Sequence, residues 1–187
     1  MKNTIQHLML TLCLLFSSQT LRANEVRNGD FSEAARFWFV LVNGGFRDSE
    51  AIGPYLKTSG DGLHILVDEI PGEKTQPAAV VLNQRVQTLR PGTEYLLRFE
   101  VRGQQHESFL VGVGKPVTYG EHRGNLSGGL PVREVTVTDA WHSFEATFVY
   151  NADESLALPE DARETLLQFR VGTLSTLQLR DVTVTEK

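Results

Sequence analysis

From residue 60 onward the chain alternates apolar and polar residues with a period of two, and each alternating run stops at a cluster of Gly, Pro, Asn or Asp. Half-buried strands and their turns have this pattern, and it leaves little room for helices. The clearest runs are Leu63–Val67, Ala78–Val86, Tyr95–Arg102, Phe109–Val113, Arg133–Val137, Phe144–Tyr150, Leu166–Val171 and Leu177–Val184. Short strands near Val26 and over Phe37–Val42 bring the total to about ten, the number and spacing of an all-β antiparallel sandwich of two sheets. Turn chemistry marks the boundaries at Ser59-Gly60-Asp61-Gly62, Arg90-Pro91-Gly92-Thr93 and Asn151-Ala152-Asp153. Two segments, Ser32–Ala35 and Pro159–Glu164, are composed like short helices of at most about two turns.

Alternation also assigns faces, because successive side chains of a strand point to opposite sides of the sheet. Tyr95, Leu97, Phe99 and Val101 form one face of their strand, against Arg98, Glu100 and Arg102 on the other. Phe144, Ala146 and Phe148 stand against Glu145 and Thr147, while Leu167, Phe169 and Val171 stand against Gln168 and Arg170. If these strands share a sheet, its outer face carries a ladder of Arg98, Glu100, Arg102, Glu145, Gln168 and Arg170. Trp141 is assigned to the core.

The first residues read as a leader. Lys2 precedes the apolar run Leu8–Phe16, which is too short to span a bilayer, and Ala23 suits the position before a cleavage site. Residues 1–23 are therefore expected to be a signal peptide and 24–187 one domain, secreted or periplasmic, with no membrane span once the leader is cut. Lys2, Arg22 and no acidic residue leave with the peptide, which moves the net charge from −5 to −7. Such a surface does not gather phosphates, so nucleic acid is excluded as a partner. The single cysteine, Cys13, also leaves, so neither a disulfide nor a thiol nucleophile remains. A β-sandwich of this length can bury enough apolar surface to stand without covalent staples.

Several motifs occur in order along the chain. Val26-Arg27-Asn28-Gly29-Asp30-Phe31 is followed by Trp38; Gln84-Arg85-Val86 leads into Leu89-Arg90-Pro91-Gly92-Thr93-Glu94-Tyr95-Leu96-Leu97-Arg98-Phe99; Val135-Thr136-Val137 precedes Trp141-His142-Ser143-Phe144; and Phe169-Arg170-Val171-Gly172 precedes Asp181-Val182-Thr183-Val184. Together these resemble the jelly-roll carbohydrate-binding modules of families four, nine and twenty-two. The resemblance implies a galactose-binding-like sandwich whose first and last strands pair, with a ligand cleft on one sheet. It also implies a non-catalytic module binding a poly- or oligosaccharide.

Sugar rings offer an apolar face to aromatic side chains, and their hydroxyls demand planar polar partners once water is excluded. The polar candidates are the ladder residues named above and Gln84, which matches a strand glutamine that reaches ligand in several members. The same ladder also fits an ordinary solvated face of ion pairs. Trp38, Phe46, Tyr55 and Tyr119 lie in or beside Gly-rich stretches where rings can rim a cleft, although the apolar run Phe37–Val42 equally fits a buried strand. Tyr119 and His122 fall in the long loop Gly114–Gly129, a candidate binding loop.

No cofactor is required by this reading. The resemblance implies a structural calcium ion near the paired termini, with Asp181 on the closing strand and Asp30 or Glu33 opposite; Ser32 stands where the family often has glutamate. Calcium takes six to eight oxygens. The histidines outside the leader, His64, His106, His122 and His142, lack zinc-ligand spacing. No nucleophile elbow, phosphate loop or His-Glu-x-x-His is present. The carboxylate pair a small glycosidase would use is Glu100 and Glu145. Besides a glycan, a cell-envelope protein docking on a sheet edge or apolar patch is the alternative partner, as a structural subunit.

Overall fold

The computed structural model describes residues 23–42, 45–46, 56–67, 80–86, 88–104, 107–117, 125–151, 164–172 and 175–187. The expected leader up to residue 22, Tyr55, Tyr119, His122 and the expected helix at 159–164, apart from Glu164, lie outside them. Twelve strands are described: β1 (Phe39–Val42), β2 (Gly45–Phe46), β3 (Leu56–Ser59), β4 (Gly62–Val67), β5 (Val80–Arg85), β6 (Glu94–Gly103), β7 (Ser108–Pro116), β8 (Leu126–Ser127), β9 (Arg133–Thr136), β10 (His142–Val149), β11 (Leu166–Val171) and β12 (Ser175–Glu186). Among the described residues no helix is long and apolar enough to cross a membrane.

All pairings are antiparallel, in two sheets. One has the order β2-β1-β5-β11-β7-β8, with β9 also on β7, and the other has the order β10-β6-β12-β4-β3. The expected alternation is what closes them on each other. Leu97, Phe99 and Val101 of β6 and Leu177 and Leu179 of β12 point inward from the five-stranded sheet, towards Val80 and Leu82 of β5, Val111 and Val113 of β7, and Leu167, Phe169 and Val171 of β11. Phe99 is the centre of contact between the layers. Its ring stacks on Phe144 at 4.8 Å, meets Phe169 edge-on at 5.2 Å and lies 6.0 Å from Phe109. Offset and edge-on aromatic pairs of this kind add to burial.

The amino-terminal segment completes the five-stranded sheet without forming a strand there. β4 pairs with β12 only as far as Leu179, and the register of β12 shifts between Arg180 and Thr183. Beyond that bulge the first residues take the place of β4. Asn24 bridges Thr185, Glu25 N donates to Val184 O at 2.8 Å, and Val182 N donates to Gly29 O at 2.9 Å. The strand expected near Val26 is thus a single bridge.

The helix expected over Ser32–Ala35 is also absent. Asn28, Phe31, Ala34 and Phe37 all have left-handed backbone conformations, with φ of 51°, 57°, 55° and 70°. A left-handed residue at every third position breaks any right-handed helix. Consecutive turns form instead, and Asn28 holds them: its Nδ2 donates to Ala34 O and Arg36 O, and its Oδ1 accepts from Glu33 N.

Candidate functional site

The ladder expected on one face is divided between two. Arg98, Glu100 and Arg102 of β6 and Glu145 of β10 lie on the outer side of the five-stranded sheet, whereas Gln168 and Arg170 of β11 lie on the outer side of the seven-stranded sheet. The local pattern gave each strand its correct faces, but it could not tell that β11 pairs with β5 and β7 rather than with β6.

On the five-stranded face the charges are matched. Arg98 pairs with Glu145 at 2.7 Å and Arg180 with Glu100 at 2.5 Å, while Arg102 donates to Gln178 Oε1 at 2.6 Å and to Asp61 Oδ2 at 3.0 Å. Trp141 belongs to this face and not to the core. It precedes β10 in phase with Ser143 and Glu145, and the guanidinium carbons of Arg102 and Arg180 lie 4.7 Å and 4.2 Å from its ring centre. Asp61 is held further by Ser59 Oγ and by His64 Nε2 at 3.1 Å. Hydrogen bonds from Ser59 first and His64 second hold its carboxyl down at about 2. Glu100 and Glu145, the candidate glycosidase pair, are each bound by an arginine.

The seven-stranded face is different in kind. Register sets Phe39, Asn83, Gln168 and Gly112 side by side across β1, β5, β11 and β7, with Leu41, Val81, Arg170 and Leu110 in the next row. Asn83 is wholly buried; its Nδ2 donates to Val81 O at 3.0 Å, and its Oδ1 has no partner among the described residues. Buried polar atoms are nearly always paired, so this lone acceptor is exceptional. Beside it, Gln168 is 7% exposed, and its Oε1 accepts from Arg170 Nε at 3.1 Å and Nη2 at 2.8 Å. Burial depresses the Arg170 pKa, although a guanidinium remains charged. β8 and the segment after it rise over one side of this face. A Cβ on Gly112 would come within 2.9 Å of Leu126 Cδ1, and one on Gly114 within 2.5 Å of Ser127 O.

Two expected ligand residues are buried inside the sandwich. Gln84 points inward, is 2% exposed and spends its amide on the backbone of Arg27. Trp38 is 8% exposed within the core, 5.3 Å from Phe31 and 6.1 Å from Phe169 by ring centres, with Nε1 donating to Asn28 O at 3.2 Å. Asn83, adjacent to Gln84, is the residue sequence reasoning missed. The signal was available, since Gln84 is in phase with the inward-facing Val80, Leu82 and Val86.

The residues suggested for calcium do not fit it. Glu33 is paired with Arg36 at 2.5 Å, Asp30 Oδ1 accepts from Ser32 N at 3.2 Å and Ser32 Oγ at 3.0 Å, and Asp181 is turned out at the β12 bulge with φ 53°. Among the described residues no three His, Cys, Asp or Glu side chains gather where a metal could be held.

No protein-family model matches the chain, and no curated protein does. Solved structures do. A family 4 carbohydrate-binding module superposes with a TM-score of 0.57 over 87% of this chain and 99% of its own, at 18% identity. The fold is the jelly roll of carbohydrate-binding modules. The N-terminal cellulose-binding domain of a Cellulomonas fimi β-1,4-glucanase gives a TM-score of 0.52 at 20% identity, over 80% of this chain and 88% of that domain. A family 61 carbohydrate-binding module solved with β-1,4-galactotriose gives 0.50 at 14% identity, over 88% and 99%. The expected two-sheet antiparallel jelly roll is thus the observed architecture.

Proposed function

We propose that this chain is a non-catalytic glycan-binding module, carried out of the cell by a leader cut after Ala23, that holds a poly- or oligosaccharide on the outer face of its seven-stranded sheet. One observation carries the choice of face: the Oδ1 of Asn83, buried beside Gln168 and Arg170 and without a partner among the described residues. A sugar hydroxyl donating to that oxygen completes its hydrogen bonding, and the half-exposed Phe39 and Arg170 that flank it shift to admit the ring. Gln168 and Arg170 supply planar acceptors and donors for neighbouring hydroxyls, while Phe39, Leu41 and Leu110 meet the C–H face. The structural likeness to a cellulose-binding domain and to a module holding β-1,4-galactotriose supports a β-linked glycan as ligand. The pairing of Glu100 and Glu145 with arginines supports binding without hydrolysis.

Affinity electrophoresis in gels containing hydroxyethyl cellulose or soluble β-1,4-galactan tests the reading. The wild-type protein should be retarded in at least one of them, and Asn83→Ala should weaken that retardation roughly tenfold or more while leaving the urea midpoint nearly unchanged. A wild-type protein that migrates freely in every gel, or an Asn83→Ala protein retarded like wild type, overturns it.

A further inference from the structure

The outer face of the five-stranded sheet holds an arrangement that the proposed site does not use. Arg102, Gln178, His64 and Lys57 are adjacent in register across the sheet, and the Trp141 ring lies against Arg102 at one end of them, a row of one indole ring and planar or flexible polar groups. The indole is only partly buried and lies against the guanidinium groups of Arg102 and Arg180, which are themselves fixed by Gln178, Asp61 and Glu100. These side chains hold one another in place, so little side-chain freedom remains to be lost on binding.

Hollows open on both sides of the row. One of about 770 Å³ lies between the turns at Asp30–Ala34, the β3–β4 turn and Arg180–Asp181; another of about 390 Å³ is bordered by Arg102, Gly103, Asp139 and Gln178. Arg180 and Asp61 line the first and Arg102 lines the second, so the ion-paired row forms the ridge between two depressions.

The charges identify the ligand class. Each guanidinium beside the indole already has a carboxylate, Asp61 for Arg102 and Glu100 for Arg180, so the arginines themselves do not select an anion. The row offers both donors and acceptors beside an aromatic ring. A neutral sugar matches that set: its C–H face stacks on an indole, and its hydroxyls both give and accept hydrogen bonds.

We propose that Trp141, with Arg102, Gln178, Asp61 and Arg180, forms a second, independent binding site for a neutral glycan on the sheet opposite the first. The two sites face away from each other across the sandwich, so one protein molecule can join two glycan chains, with a gain in avidity that neither site supplies alone. The location of this site does not depend on the reading given for the seven-stranded face.

The test uses the full-length protein with a soluble oligomer and a soluble polymer of whichever β-linked glycan retards it. Calorimetric titration with the oligomer should give two ligands per protein, falling to one in Trp141→Ala and to one in Asn83→Ala. The wild-type protein should also cross-link the polymer and raise its viscosity, and both variants should lose that property. Because Trp38 is buried, a ligand-induced shift in tryptophan emission reports on Trp141, and Gln178→Ala should diminish it with the indole still present. One ligand per protein, abolished by Asn83→Ala and indifferent to Trp141→Ala and Gln178→Ala, overturns the second site and leaves the first. Binding that survives Asn83→Ala and vanishes in Trp141→Ala overturns the first and leaves the second. No binding to any glycan overturns both.

Discussion

The side-chain amide of Gln84 closes on the backbone of Arg27, 57 residues earlier: Nε2 donates to Arg27 O at 2.7 Å and Arg27 N donates to Oε1 at 2.6 Å. This pair of bonds fastens the amino-terminal segment to the inner side of β5, where both backbone groups would otherwise lack partners. Gln84→Ala should therefore destabilise the protein by about 1–3 kcal/mol, the cost of leaving such groups unsatisfied, read as a lower urea midpoint. Retardation by glycan should not change. An equal midpoint, or a loss of retardation in a protein of wild-type stability, would return Gln84 to the ligand site where the family resemblance places it.

The contrast between Gln84 and its neighbour shows where the sequence was legible. Alternation through Val80, Leu82 and Val86 places Gln84 inside and Asn83 outside, and a displacement of one residue changes the face. The family motif carries no such information about faces. Trp141 repeats the lesson, being in phase with Ser143 and Glu145 on the outside, not with Phe144 and Ala146 within. Strand pairing is another matter. Alternation gives Gln168 and Arg170 the outer side of β11, but nothing local to Leu166–Val171 says that its neighbours are β5 and β7. The turns after Asn28 were hidden for a related reason, because Phe31, Ala34 and Phe37 are not residue types that announce a left-handed backbone.

Acid should protonate Asp61 late in the folded chain. Its carboxyl titrates at about 2 in the folded chain against 3.8 ordinarily, chiefly through the Ser59 hydroxyl and then His64. A depressed carboxylate contributes stability that is complete above its unfolded value and is lost as the pH falls through the folded one. The window here runs from about pH 4 down to about pH 2. Comparing urea midpoints at pH 5 and pH 2.5, Asp61→Asn should fall by less than wild type over that interval. An identical fall would mean that the Ser59–Asp61–His64 cluster does not hold the carboxylate in solution. Arg102 also relies on Asp61, so the variant should in addition loosen the Trp141 row.

Gly114 and Gly60 separate steric need from mere turn preference. A methyl group on Gly114 would sit 2.5 Å from Ser127 O and 3.0 Å from Ser127 N, both backbone atoms of the strand that rises over β7, whereas one on Gly60 meets nothing within 4 Å. Backbone cannot step aside as a flexible side chain can, so Gly114→Ala should cost about 1–3 kcal/mol, typical of overpacking. Gly60→Ala should be close to neutral. The two glycines also flank different candidate sites: Gly114 supports the Leu126 side of the seven-stranded face, and Gly60 borders the larger hollow on the other sheet. Thermal melts of the two variants check the energetic claim. Should Gly114→Ala melt with wild type, β8 is not seated on the outer side of β7 and does not rise over one side of the seven-stranded face.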